Sequence, residues 1–564
     1  MILSPLRRAL AGDLGRGQPP RGRSCILPLP VDSITPTADL EAAPTSKNSK
    51  WTYVFFLGVG AIAIALRTPE LSSKGFWLDE AYSVLVARLP LMEMLEKLSQ
   101  DATPPLYYIL LAPWVQLFGT GEAAARALSI VFSVGGITLM GLLSFRYFSP
   151  RIASVVTLML AFTPMSVYYA QEARMYSLLA LLGTALVFSS LEYLTRKSRL
   201  ALILVAVFSL LMLLTHNVAA WFVIGVNIAF LSLCNDRKLL LHWLAAQSIA
   251  ALCYLPWLLI ALQHVHEQSD VLAWFFDYWK AKSVVGHFMT TIGTFALGDF
   301  PPYLAIQSPL STAPFLRGGA LLLMIFGFYR WRRSTGARFI TVTLFAALIL
   351  SLGYSALYEP VHIPGRTDHA YLPLFALLLA LGIDGLKSRL LEGAVLLIGM
   401  IGALAILQIY HDFPAKNDSR TYLWELQDNL NPGDVVITTG LTWAETAYYF
   451  DRWAVPATVL SFPKTVEDHP GYLNYRELMK NPTQLYADAD DLVRISKETL
   501  GPDNAIYLLY LRPLNVNGII AERLARDFPN AIEIGSQPFR QSVLGHGVRI
   551  IRMQAEQPGA GSHP

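Results

Sequence analysis

The chain has 564 residues, of which 54% are hydrophobic and 15% charged, where an average soluble domain carries about 25% charged residues. With a mean hydropathy of +0.42, this composition excludes a disordered protein and an ordinary soluble enzyme and points to a chain that lives mostly in lipid. A net charge of +3 is too small for nucleic-acid binding, and three cysteines exclude a disulfide scaffold and a four-thiolate zinc site.

Residues 1–50 are rich in Pro, Gly, Ser and Arg and contain no apolar core of signal-peptide length. They read as a disordered cytoplasmic tail. The first long apolar run, Trp51 to Leu66, is then a retained membrane helix. It is short for a bilayer of about 30 Å and is expected to extend past Arg67 or to start earlier. Further runs long enough to span lie at 123–145, 151–168, 174–194, 200–215, 218–234, 241–262, 317–331, 338–357, 371–386 and 391–409, eleven in all. The segment Pro104 to Phe118 is short, aromatic and broken by Pro113, and reads as a helix in the interface.

Loop charges orient the chain. The basic clusters are Arg146/Arg151, Arg196-Lys197/Arg199, Arg237-Lys238, Arg330/Arg332-Arg333/Arg338 and Lys387/Arg389. With a cytoplasmic N-terminus and eleven spans, all five fall in cytoplasmic loops, as the positive-inside rule asks. Counting 104–118 as a span would put all five on the wrong side. The loops 67–122 and 263–316 and the tail from 411 then lie outside. The tail alternates strand-like runs (Val435 to Ile437, Ile506 to Tyr510, Val548 to Ile551) with helix-like stretches (443–451, 518–527). The expected fold class is a polytopic α-helical membrane protein of about 11 transmembrane helices over 51–410, with a small extracytoplasmic α/β domain at 411–564.

Polar residues near membrane helices are costly and default to functional candidates. Those that break apolar runs or sit at span ends are Asp79-Glu80, Asp101, Glu172 with Arg174, His216-Asn217, and Arg366 with Asp368-His369. All fall on the outer side, which suggests one site at the outer mouth of the bundle. Asp79 and Glu80, adjacent acids in an apolar stretch that also holds Tyr82, read as a general base with a neighbour that could help bind metal, because apolar surroundings raise a carboxylate pKa toward working pH. They read equally as acids favoured at a helix N-terminus. Glu172 and Arg174 are two apart and do not face each other on a helix, so they would meet different partners, such as a hydroxyl and a phosphate. They could also be a surface pair at a helix junction. The Tyr168-Tyr169 pair beside them reads as aromatic belt. Arg366 offers a planar fork of donors that suits phosphate oxygens, or it snorkels from a helix end. His216-Asn217 is more often a polar turn than a ligand set. No closely spaced His/Cys/Asp/Glu set demands a metal, and no phosphate loop or dinucleotide glycine fingerprint is present.

The stretches FWLDEAYS (76–83), DATPPLYYILLAPWVQLFG (101–119) with EAAARALS (122–129), and YYAQEARMYSLLALL (168–182) carry a resemblance. They resemble membrane glycosyltransferases of the GT-C fold, in the group of bacterial relatives of dolichyl-phosphate-mannose protein mannosyltransferases that includes the lipid A aminoarabinose transferase. The resemblance covers roughly 50–410. GRTDHAYLP (365–373) resembles the group's late-loop arginine region in part. It implies an integral plasma (inner) membrane enzyme that moves a single sugar from a polyprenyl-phosphate carrier on the outer leaflet to a lipid, glycan or protein acceptor, usually with inversion. It maps the catalytic acid of the first outer loop onto Asp79, with Glu80 beside it, and a second acid onto Glu172. Arg174 and Arg366 become phosphate-binding candidates, and Tyr82, Asp101 and His216 substrate-binding ones. Where relatives often have His before the double proline, this chain has Thr103, which leaves a His-dependent role there without a residue. Bound divalent metal varies within the fold, so a metal stays open. The competing class is a transporter or flippase of lipid-linked sugars, which would place its polar site near mid-bilayer within two related halves.

Overall fold

In a computed structural model, residues 49–268, 278–298, 314–412, 419–464, 475–480, 482–511, 515–536 and 548–554 are described. The expected N-terminal tail, up to residue 48, and parts of the second outer loop, 269–277 and 299–313, lie outside them. The first apolar run is helix α1 (Ser49–Arg67). The expected first outer loop, 67–122, folds into α2 (Leu78–Ala87), α3 (Leu91–Gln100) and α4 (Leu106–Phe118). Then follow α5 (Glu122–Tyr147), α6 (Pro150–Phe162), α7 (Pro164–Ala170), α8 (Tyr176–Arg196), α9 (Arg199–Leu213), α10 (Ala219–Leu233) and α11 (Arg237–Gln268). A short apolar helix, α12 (Val284–Leu297), lies in the expected second outer loop, and α13 (Pro314–Trp331), α14 (Thr335–Leu357), α15 (Leu372–Leu386) and α16 (Arg389–Asp412) complete the bundle.

Each of the eleven apolar runs is helical. Among the described residues, five helices are long and apolar enough to cross a membrane: α5, α8, α11 to Gln263, α14, and α15 with the turn from His369. The number is six if the bent pair α6–α7 is one span, while α1, α9 and α10 are shorter apolar helices.

The run expected as one span over 151–168 is broken, with α6 and α7 meeting at 57°. The cause is Pro164, which has no N–H for the carbonyl of Leu160 four residues back. Arg67 repairs the break. Its Nη2 donates to Leu160 O (3.1 Å) and Ser166 Oγ (2.8 Å), its Nη1 to Ala161 O and Ala63 O (both 3.0 Å), and its Nε to Ser133 Oγ (3.0 Å). All five donors of a fully buried guanidinium are thereby satisfied. Of the two expected extensions of the first apolar run, the structure has the earlier start, at Ser49, and the helix ends at Arg67.

The basic clusters collect at one end of the bundle. Arg146 pairs with Glu192 (2.9 Å), which also faces Arg196 (3.5 Å), and Lys197 pairs with Asp236 beside Arg237 (2.9 Å). Arg151 reaches Glu392 (2.8 Å) and Asp384 (3.6 Å), next to Lys387 and Arg389. Trp331, between Arg330 and Arg332, packs edge-on to Phe148 (5.5 Å).

After α16 come α17 (Ser419–Gln427) and a five-stranded sheet of order β2-β1-β3-β5-β4, with β1 Val435–Thr439, β2 Thr458–Phe462, β3 Ile506–Leu511, β4 Asn530–Ser536 and β5 Val548–Gln554. The pairs β1–β2 and β1–β3 are parallel; β3–β5 and β4–β5 are antiparallel. Helix α18 (Trp443–Trp453) crosses from β1 to β2. Helices α19 (Tyr475–Lys480) and α20 (Thr483–Thr499) lie between β2 and β3, and α21 (Asn515–Asp527) between β3 and β4. The strands parallel to β1 need such crossovers, and α20 and α21 pack against the sheet through Leu485, Leu492, Ile520 and Leu524.

This part of the chain grips the segment between α1 and α2. Ser419 Oγ donates to Phe76 O (2.7 Å) and the Phe76 N–H to Tyr449 Oη (2.6 Å). Arg420 donates to the carbonyls of Ser72 and Ser73, and Arg88 pairs with Asp451 (2.6 Å). Glu122, at the first turn of α5, accepts from Arg452 (2.5 Å), Tyr449 (3.0 Å) and Arg420 (3.4 Å). The segment leading into Asp79 is thus fixed from the C-terminal side of the chain.

Candidate active site

Asp79 and Glu80 open α2 and are 3% and 1% exposed. Adjacent helical positions point in different directions, and the two carboxylates part company here. The Oδ2 of Asp79 accepts from Arg366 Nη2 (2.9 Å) and faces Arg174 Nη2 (3.7 Å). Glu80 turns into the protein. Arg126 of α5 holds it in a fork, Nε to Oε1 (2.8 Å) and Nη2 to Oε2 (2.6 Å), and the Ala173 N–H adds a third bond to Oε1 (2.8 Å). Arg126 also donates to the carbonyls of Leu71 (2.7 Å), Lys74 (3.0 Å) and Gly75 (3.1 Å). One buried ion pair therefore ties α2, α5, the loop before α2 and the turn after α7.

That turn, Gln171 to Met175, exists because α7 stops after two turns and α8 starts at Tyr176. It carries Glu172, buried at 4% exposure, and Arg174. The guanidinium of Arg174 donates from Nη1 to Asp79 O (3.3 Å), Ser83 Oγ (3.1 Å) and Tyr108 Oη (3.1 Å). Its Nε has no hydrogen-bond partner among the described residues.

Arg366 comes from a loop made rigid by its neighbours. Gly365 has φ of +82°, the left-handed region that glycine enters without strain. Asp368 Oδ1 accepts from the Gly365 N–H (2.6 Å), while its Oδ2 accepts from Thr291 Oγ1 (3.1 Å) and lies 3.4 Å from His362 Nε2. From this loop Arg366 donates Nε to Tyr176 Oη (2.6 Å), and its guanidinium lies over the rings of Trp77 (5.7 Å) and Tyr176 (5.8 Å).

Two cross-links bring Asp101 and His216 to the same place. Leu106 N–H donates to Leu214 O and Asn217 Nδ2 to Ala102 O, both at 2.9 Å. Asp101 accepts from Thr103 Oγ1 (2.6 Å). Burial raises its pKa to about 6, with the Asp79 charge adding to the rise and Thr103 and Arg174 opposing it. Tyr82 is buried, and burial and the Asp101 charge push its hydroxyl well above the usual range. His216 is half-buried beside Tyr176 (ring centroids 6.1 Å apart). Burial, then Arg174 and Arg366, push its pKa down to about 3, so the ring is neutral. Its Nδ1 accepts from the Val218 N–H (3.2 Å), which assigns the proton to Nε2.

Of the sequence candidates, Asp79, Arg174 and Arg366 are in direct contact, and Tyr82, Asp101 and His216 surround them. Glu80 and Glu172 are buried close by, Glu80 facing Arg126. Arg126 and Glu122 are the residues that sequence reasoning passed over. The signal was an arginine one turn into an apolar helix, where a charge is costly without a partner. Among the described residues no three His, Cys, Asp or Glu side chains gather to hold a metal ion, and Asp79 and Glu80 both face guanidinium groups. The described donor set does not fit a divalent cation.

No family model matches the chain, and no curated protein matches it in sequence. Its structure is similar to that of ArnT from Cupriavidus metallidurans, in the apo state (TM-score 0.57, 14% identity, covering 90% of this chain and 98% of that one) and bound to undecaprenyl phosphate (0.56, 13%, 92% and 100%). It is also similar to the Archaeoglobus fulgidus oligosaccharyltransferase tethered to an acceptor peptide with the NVT sequon (TM-score 0.50, 13% identity, covering 83% of this chain and 69% of that one). The chain has the GT-C fold that its sequence resemblance implied.

Proposed function

We propose that this protein is an inverting glycosyltransferase that moves a single sugar from a polyprenyl-phosphate carrier to a hydroxyl of a lipid, glycan or protein acceptor. The observation that carries the reading is Asp79 set between Arg366 (2.9 Å) and Arg174 (3.7 Å), at the end of the bundle opposite the basic clusters. By the positive-inside rule that end faces away from the cytoplasm. Nucleotide sugars are absent there, so the donor must be membrane-soluble. The undecaprenyl phosphate bound to ArnT supports a carrier of that class.

In this reading Asp79 is the general base. It takes the proton of the acceptor hydroxyl as that oxygen attacks the anomeric carbon, and the bond from that carbon to the phosphate oxygen breaks with its electron pair staying on the phosphate. The transition state has oxocarbenium character, as in glycoside hydrolysis. Charge grows on the leaving phosphate as the bond breaks, so the guanidiniums of Arg174 and Arg366 act mainly on the transition state. His216, neutral with its proton on Nε2, donates a hydrogen bond to a sugar or phosphate oxygen. Tyr82 and Asp101 line the substrate. Glu80 and Glu172 were expected as catalytic acids; with its carboxylate held by Arg126 and Ala173 N–H, Glu80 acts as the positioning residue of α2, while Glu172, buried in the turn that presents Arg174, keeps its proposed place as the second acid.

A flippase would hold its polar groups near mid-bilayer, whereas these residues sit in the loops at one end of the helices. The test is reconstitution of the full chain in nanodiscs with radiolabelled polyprenyl-phosphate sugars and total membrane lipid, glycan and protein. Label reaching an acceptor supports the transferase. Movement of intact donor across liposome membranes without transfer contradicts it.

A further inference from the structure

A cavity lies where the C-terminal residues 420–453 meet the start of α5 at Glu122. It is an open cavity of about 440 Å³ lined by Glu122, Arg420, Trp424, Glu425, Tyr449, Arg452 and Trp453. That volume falls in the range of about 300–1,000 Å³ typical of small-molecule sites. Nothing in the proposed transfer reaction uses it.

Its walls are of two kinds. One is aromatic: Trp424 and Trp453 meet edge to face (5.1 Å, 90°), and Tyr449 lies against Trp453 (4.9 Å). Trp424 is 52% exposed, which leaves a large ring face without packing. The other wall is charged but balanced. Glu122 is flanked by Arg452 and Arg420, and Glu425 offsets the remaining positive charge.

This combination selects among ligand classes. A phosphate or sulfate would meet two guanidiniums already engaged by Glu122, with Glu425 close by. A quaternary ammonium would find an aromatic wall but two arginines facing it. An acyl chain would leave the ion pairs without new partners. A sugar ring suits both walls, because its C–H face packs on the negative face of an indole and its hydroxyls both donate and accept. We infer that this cavity binds one or two pyranose units of a neutral saccharide, independently of the site at Asp79.

An occupant would touch the frame of the catalytic loop. Tyr449, which lines the cavity, bonds both Glu122 (3.0 Å) and the Phe76 N–H (2.6 Å), three residues before Asp79. The inference concerns binding and stands whether or not the protein transfers sugar.

The experiment is titration of the full-length protein in nanodiscs with methyl glycosides of hexoses and N-acetylhexosamines and with their disaccharides, read by tryptophan fluorescence and calorimetry. At least one saccharide is expected to bind with a Kd of millimolar or better and to perturb tryptophan emission. Trp424→Ala, at a half-exposed position, is expected to fold and to weaken binding at least tenfold. Glu425→Gln is expected to weaken it less, and Asp79→Asn to leave it unchanged. Binding that persists in Trp424→Ala overturns the inference. So does a protein that ignores the whole saccharide panel but responds to vesicles of anionic lipid, which would make the aromatic cluster part of a lipid-facing belt.

Discussion

Arg366 Nη2 lies 2.9 Å from Asp79 Oδ2, although 287 residues separate them in the chain. The contact closes the bundle on itself, since Asp79 belongs to the segment between α1 and α5 and Arg366 to the loop before α15. It also gives Arg366 two jobs at fixed angles, on Asp79 with Nη2 and on Tyr176 with Nε. A lysine offers one point charge and cannot meet both. Arg366→Lys is therefore expected to lower turnover at least about a hundredfold, the loss typical of one transition-state donor, with unchanged melting temperature. Steady-state transfer rates with thermal melts check this, and near-normal turnover in Arg366→Lys would show that charge alone suffices.

The Glu80–Arg126 pair is expected to act on stability. Its side chains are 2% and 7% exposed, and removing one partner of such a buried pair costs about 3–5 kcal/mol. Glu80→Gln and Arg126→Gln are each expected to lower the melting temperature in detergent markedly, and the double substitution to cost less than the sum of the two. A Glu80→Gln protein of wild-type stability without activity would instead place Glu80 in the chemistry.

Asp101 gives the protein a pH dependence near neutrality. Its pKa is raised from 3.8 to about 6, so between those values the folded state holds a proton that the unfolded state has released. Folding stability falls as pH rises through that window, by about 1.4 kcal/mol for each pH unit crossed, and the cost is fully present above pH 6. Asp101→Asn is expected to be more stable than wild type at pH 7, the gain vanishing below about pH 4. Melting temperatures from pH 4 to 8 test the sign, and a gain that does not change with pH would contradict it.

Asp368 positions Arg366 without touching it, through the Gly365 N–H (2.6 Å) and Thr291 (3.1 Å). Asp368→Asn keeps the volume and one acceptor oxygen. It is expected to lower kcat at least about tenfold through misplacement of Arg366, with a smaller change in KM. A rise in KM at constant kcat would mean that the loop serves only to bind.

Much of this was legible because hydropathy records the bilayer directly. All eleven apolar runs are helical, and the basic clusters that oriented them share one end of the bundle. Charged side chains in or beside apolar runs also named Asp79, Arg174 and Arg366, because lipid makes such residues costly. The pairing of Asp79 with Arg366 was not legible, since contacts between distant segments leave no trace in local pattern. The break at Thr163-Pro164 had a signal in the proline, but its repair by Arg67 depends on three helices meeting. In the C-terminal domain, β1, β3 and β5 were visible as apolar runs. Helix α20 was not read, although Leu485, Ala489, Leu492, Val493 and Ser496 form a buried helical stripe. Its many charges masked that period.

In the proposed reaction Asp79 accepts the proton of the acceptor hydroxyl. The most direct measurement is single-turnover transfer by wild type and Asp79→Asn in nanodiscs, with preloaded polyprenyl-phosphate sugar and saturating acceptor. Asparagine keeps the shape and one oxygen for Arg366 but cannot take a proton. Normal donor binding and a chemical step slowed at least about a hundredfold are expected, with a lowered melting temperature because Arg366 and Arg174 lose a buried anionic partner. A folded, donor-loaded Asp79→Asn protein that transfers sugar at the wild-type rate would contradict the base role of Asp79.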